Sequence, residues 1–304
     1  MSYDIPILFL IFNRPETTNK VFDKIRQIKP KKLYIAADGP RKNNNIDIVN
    51  CLKVKEIIRK IDWNCEVKTL YRKKNLGCKV AVSSAINWFF ENEEMGVILE
   101  DDCLPNDSFF KYCKKLLIKY QNNEKIMIIS GISFISNKIR QKYVDSDYFF
   151  SKYIGIWGWA TWRRAWKLYD VSISTYPIKK SYVLNNNSNC LLDKLYWGRI
   201  FNLVYKNKID TWDYQWQYCI WLNDGLSINP RYNLVKNIGF GISSTHTKNN
   251  IKQEIRSLNI KKHPIKYLTN KDVDNYYSKR YCKKLLYGLF LKSIKFWQKF
   301  LKIS

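Results

Sequence analysis

Short apolar runs alternate with segments of helical periodicity through the N-terminal part of the chain. The runs at residues 5–12, 33–37 and 97–99 have the length and apolar content of buried strands, and residues 65–71 are predicted to form a further strand. Apolar residues recur at helical spacing between them, which predicts helices over 16–28, 51–61 and 80–90. This β-α-β-α-β-α-β order indicates an α/β fold with a parallel, doubly wound sheet.

The pattern is less regular after residue 103. It predicts helices over 109–120 and 196–205, a helix that ends at Leu222, and extended pieces at 126–130, 226–230 and 233–235. Residues 137–146 are polar and are predicted to form a loop, and 239–247 are rich in Gly and other small residues. We therefore divide the chain into a domain over 1–275, with halves at 1–102 and 103–275, and a separate tail over 276–304.

Three carboxylates, Glu100, Asp101 and Asp102, directly follow the buried run at 97–99. Open α/β sheets bind their ligands at the carboxyl ends of the strands, so a site is expected there. Adjacent carboxylates repel one another, and a divalent cation held by one or two of them and by substrate phosphates removes that cost. The triplet therefore predicts a metal–phosphate site. The alternative is a solvated acidic turn that caps the next helix.

The formal net charge of the 304 residues is +27. A surface this basic favours anionic partners, such as nucleic acid, anionic lipid or phosphorylated substrates. The Lys and Arg residues are dispersed, however, and no helix-turn-helix, zinc or RNA-recognition motif is present, so we expect no nucleic-acid partner. Gly-x-Gly-x-x-Gly and Walker loops are absent too, so any nucleotide is held differently.

The eight cysteines are scattered without a Cys-x-x-Cys pair, which favours reduced intracellular thiols over a zinc cluster. No signal peptide is expected, because Asp4 precedes the first apolar run and Asn13-Arg14-Pro15 ends it without a small-residue cleavage site. Apolar runs also fall short of the ~18 residues of a spanning helix. We expect a cytoplasmic protein, peripheral on the inner face of the cytoplasmic membrane.

The tail over 276–304 contains no acidic residue. On a helical wheel Leu286, Phe290, Trp297 and other apolar residues share one face. The opposite face carries Lys284, Lys292, Lys295, Lys299 and Lys302. Such a basic amphipathic helix is typical of proteins that lie on an anionic membrane surface. The alternative is a helix that packs on the main domain or on another subunit.

Motifs at the ends of the predicted strands resemble the GT-A fold glycosyltransferases, which use nucleotide-sugar donors. Gly-Val-Ile-Leu-Glu-Asp-Asp, followed by Pro and then by Phe109-Phe110, is similar to the acidic segment of N-acetylglucosaminyltransferase I. Phe-Asn-Arg-Pro, Ala-Asp-Gly-Pro-Arg, Asn-Leu-Gly-Cys and Trp-Gly-Trp-Ala-Thr-Trp resemble motifs of bacterial sugar transferases. The resemblance covers most of residues 1–247. It implies a GT-A, Rossmann-like fold with a mixed, mainly parallel central sheet flanked by helices.

The resemblance also implies roles for the matching residues. Asp102 and His246 would ligate Mn²⁺ or Mg²⁺, although N-acetylglucosaminyltransferase I lacks this histidine, and a hydrogen-bonded surface position is the alternative for His246. Asp213 would be the base, although the segment Trp-Asp-Tyr-Gln-Trp departs from the relative's Trp-Asp-Asp-Trp, and Asp213 also suits a helix cap. Donor binding would fall to Asn13, Arg14, Asp38, Arg72, Gly77, Glu100 and Asp101. Acceptor sugars would stack on Trp157, Trp159 and Trp212, whereas the spacing of Trp162 and Trp166 predicts core packing.

The predicted function is metal-dependent transfer of a sugar from a nucleotide-diphosphate sugar, a UDP-sugar, to a hydroxyl of a glycan or lipid-linked glycan acceptor. We expect inversion at the anomeric carbon and a place in bacterial surface polysaccharide synthesis. Residues 1–102 would bind the nucleotide sugar and residues 103–275 the acceptor. The alternatives are a nucleotidyltransferase with the same acidic metal site and a basic nucleic-acid-binding protein.

Overall fold

The computed structural model describes residues 2–239, 255–264 and 269–300, with the backbone alone for 288–300. The strands are β1 (Ile7–Ile11), β2 (Lys32–Ala37), β3 (Glu66–Tyr71), β4 (Met95–Glu100), β5 (Cys103–Pro105), β6 (Ile126–Ser130), β7 (Tyr148–Ser151), β8 (Trp159–Trp162), β9 (Leu226–Pro230) and β10 (Val235–Asn237). The helices are α1 (Pro15–Ile28), α2 (Asn45–Ile58), α3 (Gly77–Asn92), α4 (Asp107–Lys119), α5 (Asn137–Tyr143), α6 (Arg163–Trp166), α7 (Tyr176–Asn187), α8 (Leu191–Tyr205), α9 (Asp213–Leu222) and α10 (Lys271–Phe300).

Eight of the strands form one sheet in the order β3-β2-β1-β4-β8-β6-β9-β7. Strands β1 to β4 are mutually parallel. Strand β8 is antiparallel to both β4 and β6, so β6 points the same way as β4, and β9 is parallel to β6. Only β7 and β8 run against the other strands of this sheet. The mixed, mainly parallel, Rossmann-like α/β architecture predicted from the sequence is confirmed.

The central strand β4 is buried on both faces, which explains its unbroken apolar sequence. Val97 and Leu99 pack into the core on one side of the sheet, together with Phe109 of α4. Ile98 packs into the core on the other side, against a cluster that includes residues of α3, α8 and α9. Since helices cover both faces, the polar ends of the strands are the places where the sheet meets solvent and ligands.

Two segments differ from the sequence prediction because of local helix caps. The predicted loop at 137–146 contains α5, whose first turn is capped by the Ser136 side chain, which accepts a hydrogen bond from the Ile139 backbone N–H. Helix α2 begins at Asn45 rather than at residue 51, because the Asn44 side chain accepts a hydrogen bond from the Asp47 backbone N–H. In both cases a polar side chain caps a helix start that the apolar pattern did not predict.

Helix α10 begins at Lys271, so the predicted boundary between 275 and 276 falls inside a helix. Its first turns bury Val273, Tyr277, Cys282 and Leu285, and Tyr281 packs edge-on to Trp197 of α8 at a centroid distance of 4.9 Å. The first half of the tail is thus packed on the main domain, as in the alternative considered above. The side chains of 288–300 and residues 301–304 lie outside the described residues, so the membrane-binding face stays a prediction.

None of the helices in the described parts of the chain combines the length and the hydropathy that crossing a membrane requires.

Candidate active site

The first loop of the sheet, after β1, is tied to the acidic turn after β4. The Phe12 backbone N–H donates to Asp101 Oδ2 at 3.1 Å. Arg14 Nη1 donates to Asp102 Oδ2 at 2.7 Å and lies 3.7 Å from Asp101 Oδ1. The parallel pairing of β1 with β4 aligns the ends of the two strands and so makes these contacts possible. Arg14, which the sequence predicts to contact the donor, therefore also forms ion pairs with Asp101 and Asp102 of the acidic triplet.

The carboxylates of the triplet strongly affect one another. Burial, and then the charges of Asp102 and Asp101, raise the pKa of Glu100 well above its usual range. Burial and Asp102 raise the pKa of Asp101 to about 7. Arg14 opposes both shifts, since its positive charge favours the ionised carboxylates. Ionising all three carboxyls is thus unfavourable with one guanidinium alone, and a further bound cation would favour their ionised forms.

A cavity of about 590 Å³ opens beside this turn. Glu100 and Asp102 line it together with Asp213, more than a hundred residues later in the sequence, and the Asp213 charge contributes to the raised pKa of Glu100. The structure therefore brings together the two acidic segments singled out in the sequence. The other lining residues are Arg14, Cys78, Phe134, Ile154, Ile156, Trp157, Trp197, Ile200, Ile209, Thr211, Trp212, Tyr214, Gln217, Asn237, Gly239, Tyr281 and Lys284.

Asp213 is the first residue of α9, and its side chain contacts Thr211, just before the helix. The Thr211 hydroxyl donates a hydrogen bond to Asp213 Oδ1. The residue at the N-cap position is Trp212, whose side chain makes no capping hydrogen bond. Asp213 thus lies at the favourable N-terminal end of the helix dipole and also lines the cavity, so both interpretations of this residue are compatible with its position.

The second, small sheet holds the backbone around Asp102. Strand β10 pairs with β5 in antiparallel register, and the Ile238 N–H then donates to the Asp102 carbonyl oxygen at 2.8 Å. A Cβ on Gly239 would lie 2.3 Å from Asp102 Oδ2, so only glycine fits beside this carboxylate. Gly239 is the first residue of the small-residue stretch at 239–247, and residues 240–247 lie outside the described part of the chain.

The chemistry of these ligands suits a divalent cation. Mg²⁺ is typically bound by one or two carboxylates, with substrate phosphates and water as the remaining ligands. Asp102 lines the cavity and can supply a carboxylate ligand, and a cation bound there would favour ionisation of the neighbouring Glu100 and Asp101. Within the described ranges, no three His, Cys, Asp or Glu side chains are grouped to hold a metal by themselves. His246 lies outside the described residues.

Asn13 belongs to a hydrogen-bond network that sequence reasoning missed. Its Nδ2 donates to Asp47 Oδ1 at 2.7 Å, and the Arg41 guanidinium binds the same carboxylate with distances of 2.5 and 2.8 Å. The hydrogen bonds from Arg41 lower the pKa of Asp47 to about 2. The network joins the loops after β1 and β2 to the start of α2. The capping pattern Asn44–Asp47 was the available signal for it.

The remaining donor-site candidates are occupied by contacts within the protein. Asp38 accepts hydrogen bonds from the Gly39 and Leu76 backbone N–H groups and from Asn75 Nδ2, at 2.9 to 3.1 Å. Arg72 donates to Ser84 Oγ at 2.7 Å. Gly77 has a φ of +78°, and Asp210 accepts hydrogen bonds from the two N–H groups that follow it. These residues lie in loops at the same edge of the sheet as the acidic turn, and their contact with a donor stays a prediction.

The tryptophans divide between cavity and core. Trp157 is half-buried, lines the cavity and packs edge-on to Phe134 at a centroid distance of 5.2 Å. Trp159 is 0% exposed and stacks on Trp212 at 5.4 Å, so its proposed contact with an acceptor is wrong. Its position on β8 turns the ring into the core. Trp212 lines the cavity but is only 2% exposed, with one ring face covered by Trp159. Trp162 and Trp166 are buried, which confirms the core prediction.

Tyr281 and Lys284 of α10 are cavity residues that the sequence did not identify. The helical wheel assigned Lys284 to a membrane-facing surface, because it treated the tail as a helix without a partner on the protein. The i, i+4 spacing of Tyr277, Tyr281 and Leu285 was the available signal that this part of the helix packs against the domain.

No family model and no curated protein sequence matches this chain. Among solved structures, HddC from Yersinia pseudotuberculosis is 8% identical, with a TM-score of 0.28 over 41% of this chain, which spans 57% of HddC. UDP-glucose pyrophosphorylase in complex with UDP-glucose is 12% identical, with a TM-score of 0.28 over 54% of this chain and 70% of the enzyme. Mouse xyloside xylosyltransferase 1 is 10% identical, with a TM-score of 0.34 over 72% of this chain and 81% of that protein. These similarities are remote, and the fold is assigned from the strand order alone.

Proposed function

We propose that the chain is a metal-dependent glycosyltransferase that moves a sugar from a nucleotide-diphosphate sugar, with UDP as the nucleotide, to a hydroxyl of a glycan or lipid-linked glycan. The observation that best supports this function is the shared cavity of Glu100, Asp102 and Asp213. Its volume of about 590 Å³ is within the range of small-molecule sites. Acidic groups at one end and aromatic side chains such as Trp157 at another suit a diphosphate-bearing sugar.

Asp213 acts as the general base in this proposal. A sugar hydroxyl attacks the donor only when a positioned carboxylate accepts its proton, an effect worth about 10²–10⁴-fold in rate. The Thr211 hydroxyl donates a hydrogen bond to Asp213 Oδ1 and so helps to orient the carboxylate. A single displacement of this kind inverts the anomeric carbon.

Asp102 and Arg14 act at the leaving group. Asp102 would hold Mn²⁺ or Mg²⁺, with His246 as a further candidate ligand. A divalent cation bound there supplies positive charge that stabilises the departing diphosphate. Arg14 adds a second positive charge 2.7 Å from Asp102 Oδ2, close enough to be shared between the carboxylate and a phosphate. Asp101, Asn13, Asp38, Arg72 and Gly77 complete the proposed donor side of the site.

The decisive experiment is UDP-sugar hydrolysis and transfer across a panel of donor sugars, with Mn²⁺ and with EDTA. We expect turnover that EDTA abolishes and that Asp102→Ala loses without unfolding. Asp107→Ala is the matched control, because Asp107 is an exposed carboxylate paired with Lys24 outside the cavity. His246→Ala should raise the Mn²⁺ concentration needed. Wild-type turnover by Asp102→Ala would refute the assignment of the metal site.

The same assay separates this function from nucleotidyl transfer, which the acidic triplet and Arg14 also suit. A nucleotidyltransferase releases pyrophosphate from a nucleoside triphosphate and has no need of Asp213. Glycosyl transfer releases the nucleoside diphosphate and requires a base. Pyrophosphate release from UTP and a sugar phosphate, with no hydrolysis of UDP-sugars, would favour the alternative.

The proposed location is the cytoplasm, at the inner face of the membrane. The basic face predicted for 276–304 and the overall charge of +27 support binding to anionic lipid. A lipid-linked acceptor would be presented at that surface, in the synthesis of a bacterial surface polysaccharide.

A further inference from the structure

Helix α10 forms one wall of the cavity, on the side of Asp213. Tyr281 and Lys284 line this wall, and the negative charge of Asp213 favours the charged form of the Lys284 side chain. Lys284 remains exposed to solvent. Among the described residues, no carboxylate lies within ion-pair distance of it. The wall therefore presents an ammonium that is accessible to a ligand.

A second cation lies one turn earlier on the same helix. Arg280 lies 4.4 Å above the Phe134 ring and donates to the Phe134 carbonyl oxygen at 3.3 Å. Phe134 in turn packs against Trp157, and both line the cavity. This side of the cavity thus combines aromatic surface, which suits the face of a sugar ring, with the ammonium of Lys284, while Arg280 holds Phe134 from behind the lining. The positive charge that serves the acidic turn comes from a different residue, Arg14.

We propose that Lys284 is an acceptor-binding residue and that the acceptor carries an anionic group, a phosphate or a carboxylate, next to the sugar that is glycosylated. This inference rests on the proposed function, because Asp213 marks the acceptor side only if it is the base. An anion at Lys284 forms a charge-assisted hydrogen bond in a partly desolvated cavity. Loss of one such bond corresponds to about a tenfold loss of affinity, or about 1.4 kcal/mol.

Equilibrium binding of sugar probes tests the inference without any turnover. Methyl glucoside, glucose 1-phosphate and methyl glucuronide are titrated by NMR against the full chain and against Lys284→Ala, Lys284→Arg and Lys283→Ala. We expect the anionic probes to bind about tenfold more tightly than the neutral one. Lys284→Ala should remove this preference, and Lys284→Arg should keep most of it. Lys283 is an exposed neighbour that does not line the cavity, so Lys283→Ala should behave as wild type.

The two anionic probes distinguish the sources of the charge, since glucose 1-phosphate represents a phosphate-linked acceptor and methyl glucuronide an acidic glycan. Equal binding of all three probes by the wild type, or an unchanged preference in Lys284→Ala, would overturn the inference. A rise in the KM of UDP-sugar hydrolysis as large as the loss of probe affinity would instead assign Lys284 to the donor diphosphate. A failure of the UDP-sugar assay leaves the probe measurement valid, so the two proposals fail separately.

Discussion

Arg14 Nη1 lies 2.7 Å from Asp102 Oδ2, across a sequence separation of 88 residues. The contact joins the loop after β1 to the carboxylate proposed to hold the metal. Arg14 partly neutralises the acidic turn, and under the proposed function it would already be in place to contact a donor diphosphate. The geometry around Asp102 is therefore constrained from two directions, by Arg14 on one side and by Gly239 on the other.

Gly239→Ala should displace the Asp102 carboxylate. The added Cβ would lie 2.3 Å from Asp102 Oδ2, a distance that real structures do not allow, so the carboxylate has to move. We expect the Mn²⁺ concentration needed for UDP-sugar hydrolysis to rise about 10-fold or more, by analogy with changes next to metal ligands. Gly198→Ala is the control, because its Cβ meets the flexible Leu184 Cδ1 methyl at 3.2 Å. An unchanged Mn²⁺ requirement in Gly239→Ala would contradict the assignment of Asp102.

Asp213→Asn should abolish transfer and preserve nucleotide binding. Asparagine keeps the shape of aspartate and can still accept the Thr211 hydrogen bond, but it accepts no proton, so turnover should fall by about 10²–10⁴-fold. Thr211→Val removes only the hydrogen bond to Asp213, and its effect should be smaller. The anomeric configuration of the product, measured by NMR, is expected to be inverted. Retention, or near-normal turnover of Asp213→Asn, would leave Asp213 only as a carboxylate at the N-terminal end of the α9 dipole.

The sequence predicted the part of the fold in which local pattern and tertiary structure agree. Strands β1, β2 and β4 are buried, so continuous apolar runs identified them, whereas β3 is a largely exposed edge strand. Glu100, Asp102 and Asp213, to which the resemblance assigned roles, line one cavity, and those roles stay predictions. Local capping by Asn44 and Ser136 was overlooked, and so two helix starts were missed.

The second group of wrong predictions concerns residues whose contacts cannot be read from the local sequence pattern. Trp159 looks like a sugar-stacking residue because it follows Gly158, but its place on an inner strand buries the ring. Lys284 lies on the polar face of its helix, yet that face borders the cavity because α10 packs on α8. A helical wheel shows which residues share a face and leaves open what the face meets.

Cys190 and Cys282 provide a direct test of how α10 packs. Their sulfur atoms lie 3.5 Å apart, between the N-cap of α8 and the middle of α10. Burial opposes ionisation of Cys190, but hydrogen bonds from the Asp193 backbone and the Ser278 hydroxyl lower the pKa of this thiol. We expect oxidised glutathione to convert the pair into an intramolecular disulfide, as Cys190 attacks the reagent and Cys282 displaces the bound glutathione.

Peptide mapping under non-reducing conditions measures this cross-link. Each disulfide formed releases two molecules of reduced glutathione, which gives a second readout. Cys282→Ser should leave Cys190 as a mixed disulfide. Cys65, in the loop before β3, is an internal reference for a thiol without a nearby partner cysteine among the described contacts. Absence of a Cys190–Cys282 peptide, with Cys190 modified, would show that α10 does not pack on α8 in solution.

Asp274 should make the protein less stable as the pH rises. The Ser151 hydroxyl donates to Asp274 Oδ1 at 2.5 Å inside the protein, and burial raises the pKa of Asp274 to about 7. A carboxyl with a higher pKa in the folded state stabilises the fold at low pH. This stability is lost as the pH rises from the unfolded value of about 4 through about 7. Asp274→Asn should therefore have a higher melting temperature than wild type near pH 8. The rise should be about 2–4 °C for each kcal/mol by which the ionised carboxylate lowers the free energy of unfolding.

Thermal melts between about pH 5 and 8 measure this difference, which should shrink toward the acid end of the range. Asp272→Asn is the matched control, because Asp272 is exposed in the first turn of the same helix. The same pH dependence in wild type and Asp274→Asn would mean that this carboxyl does not titrate as its burial implies.

Deletion of residues 288–304 should release the protein from anionic liposomes. A deletion from 276 is a poor test, because it removes Tyr277, Cys282 and Leu285 from the core and Lys284 from the cavity. The shorter deletion spares these residues and removes Lys292, Lys295, Lys299 and Lys302, each worth at most about 1 kcal/mol near such a membrane. A variant with these four lysines changed to Gln keeps the apolar face and separates charge from hydrophobic burial. We expect sedimentation with anionic vesicles to fall in both variants, and UDP-sugar hydrolysis to continue in the deletion. Equal sedimentation of the deletion variant and the wild type in moderate salt would show that the tail is not the membrane anchor.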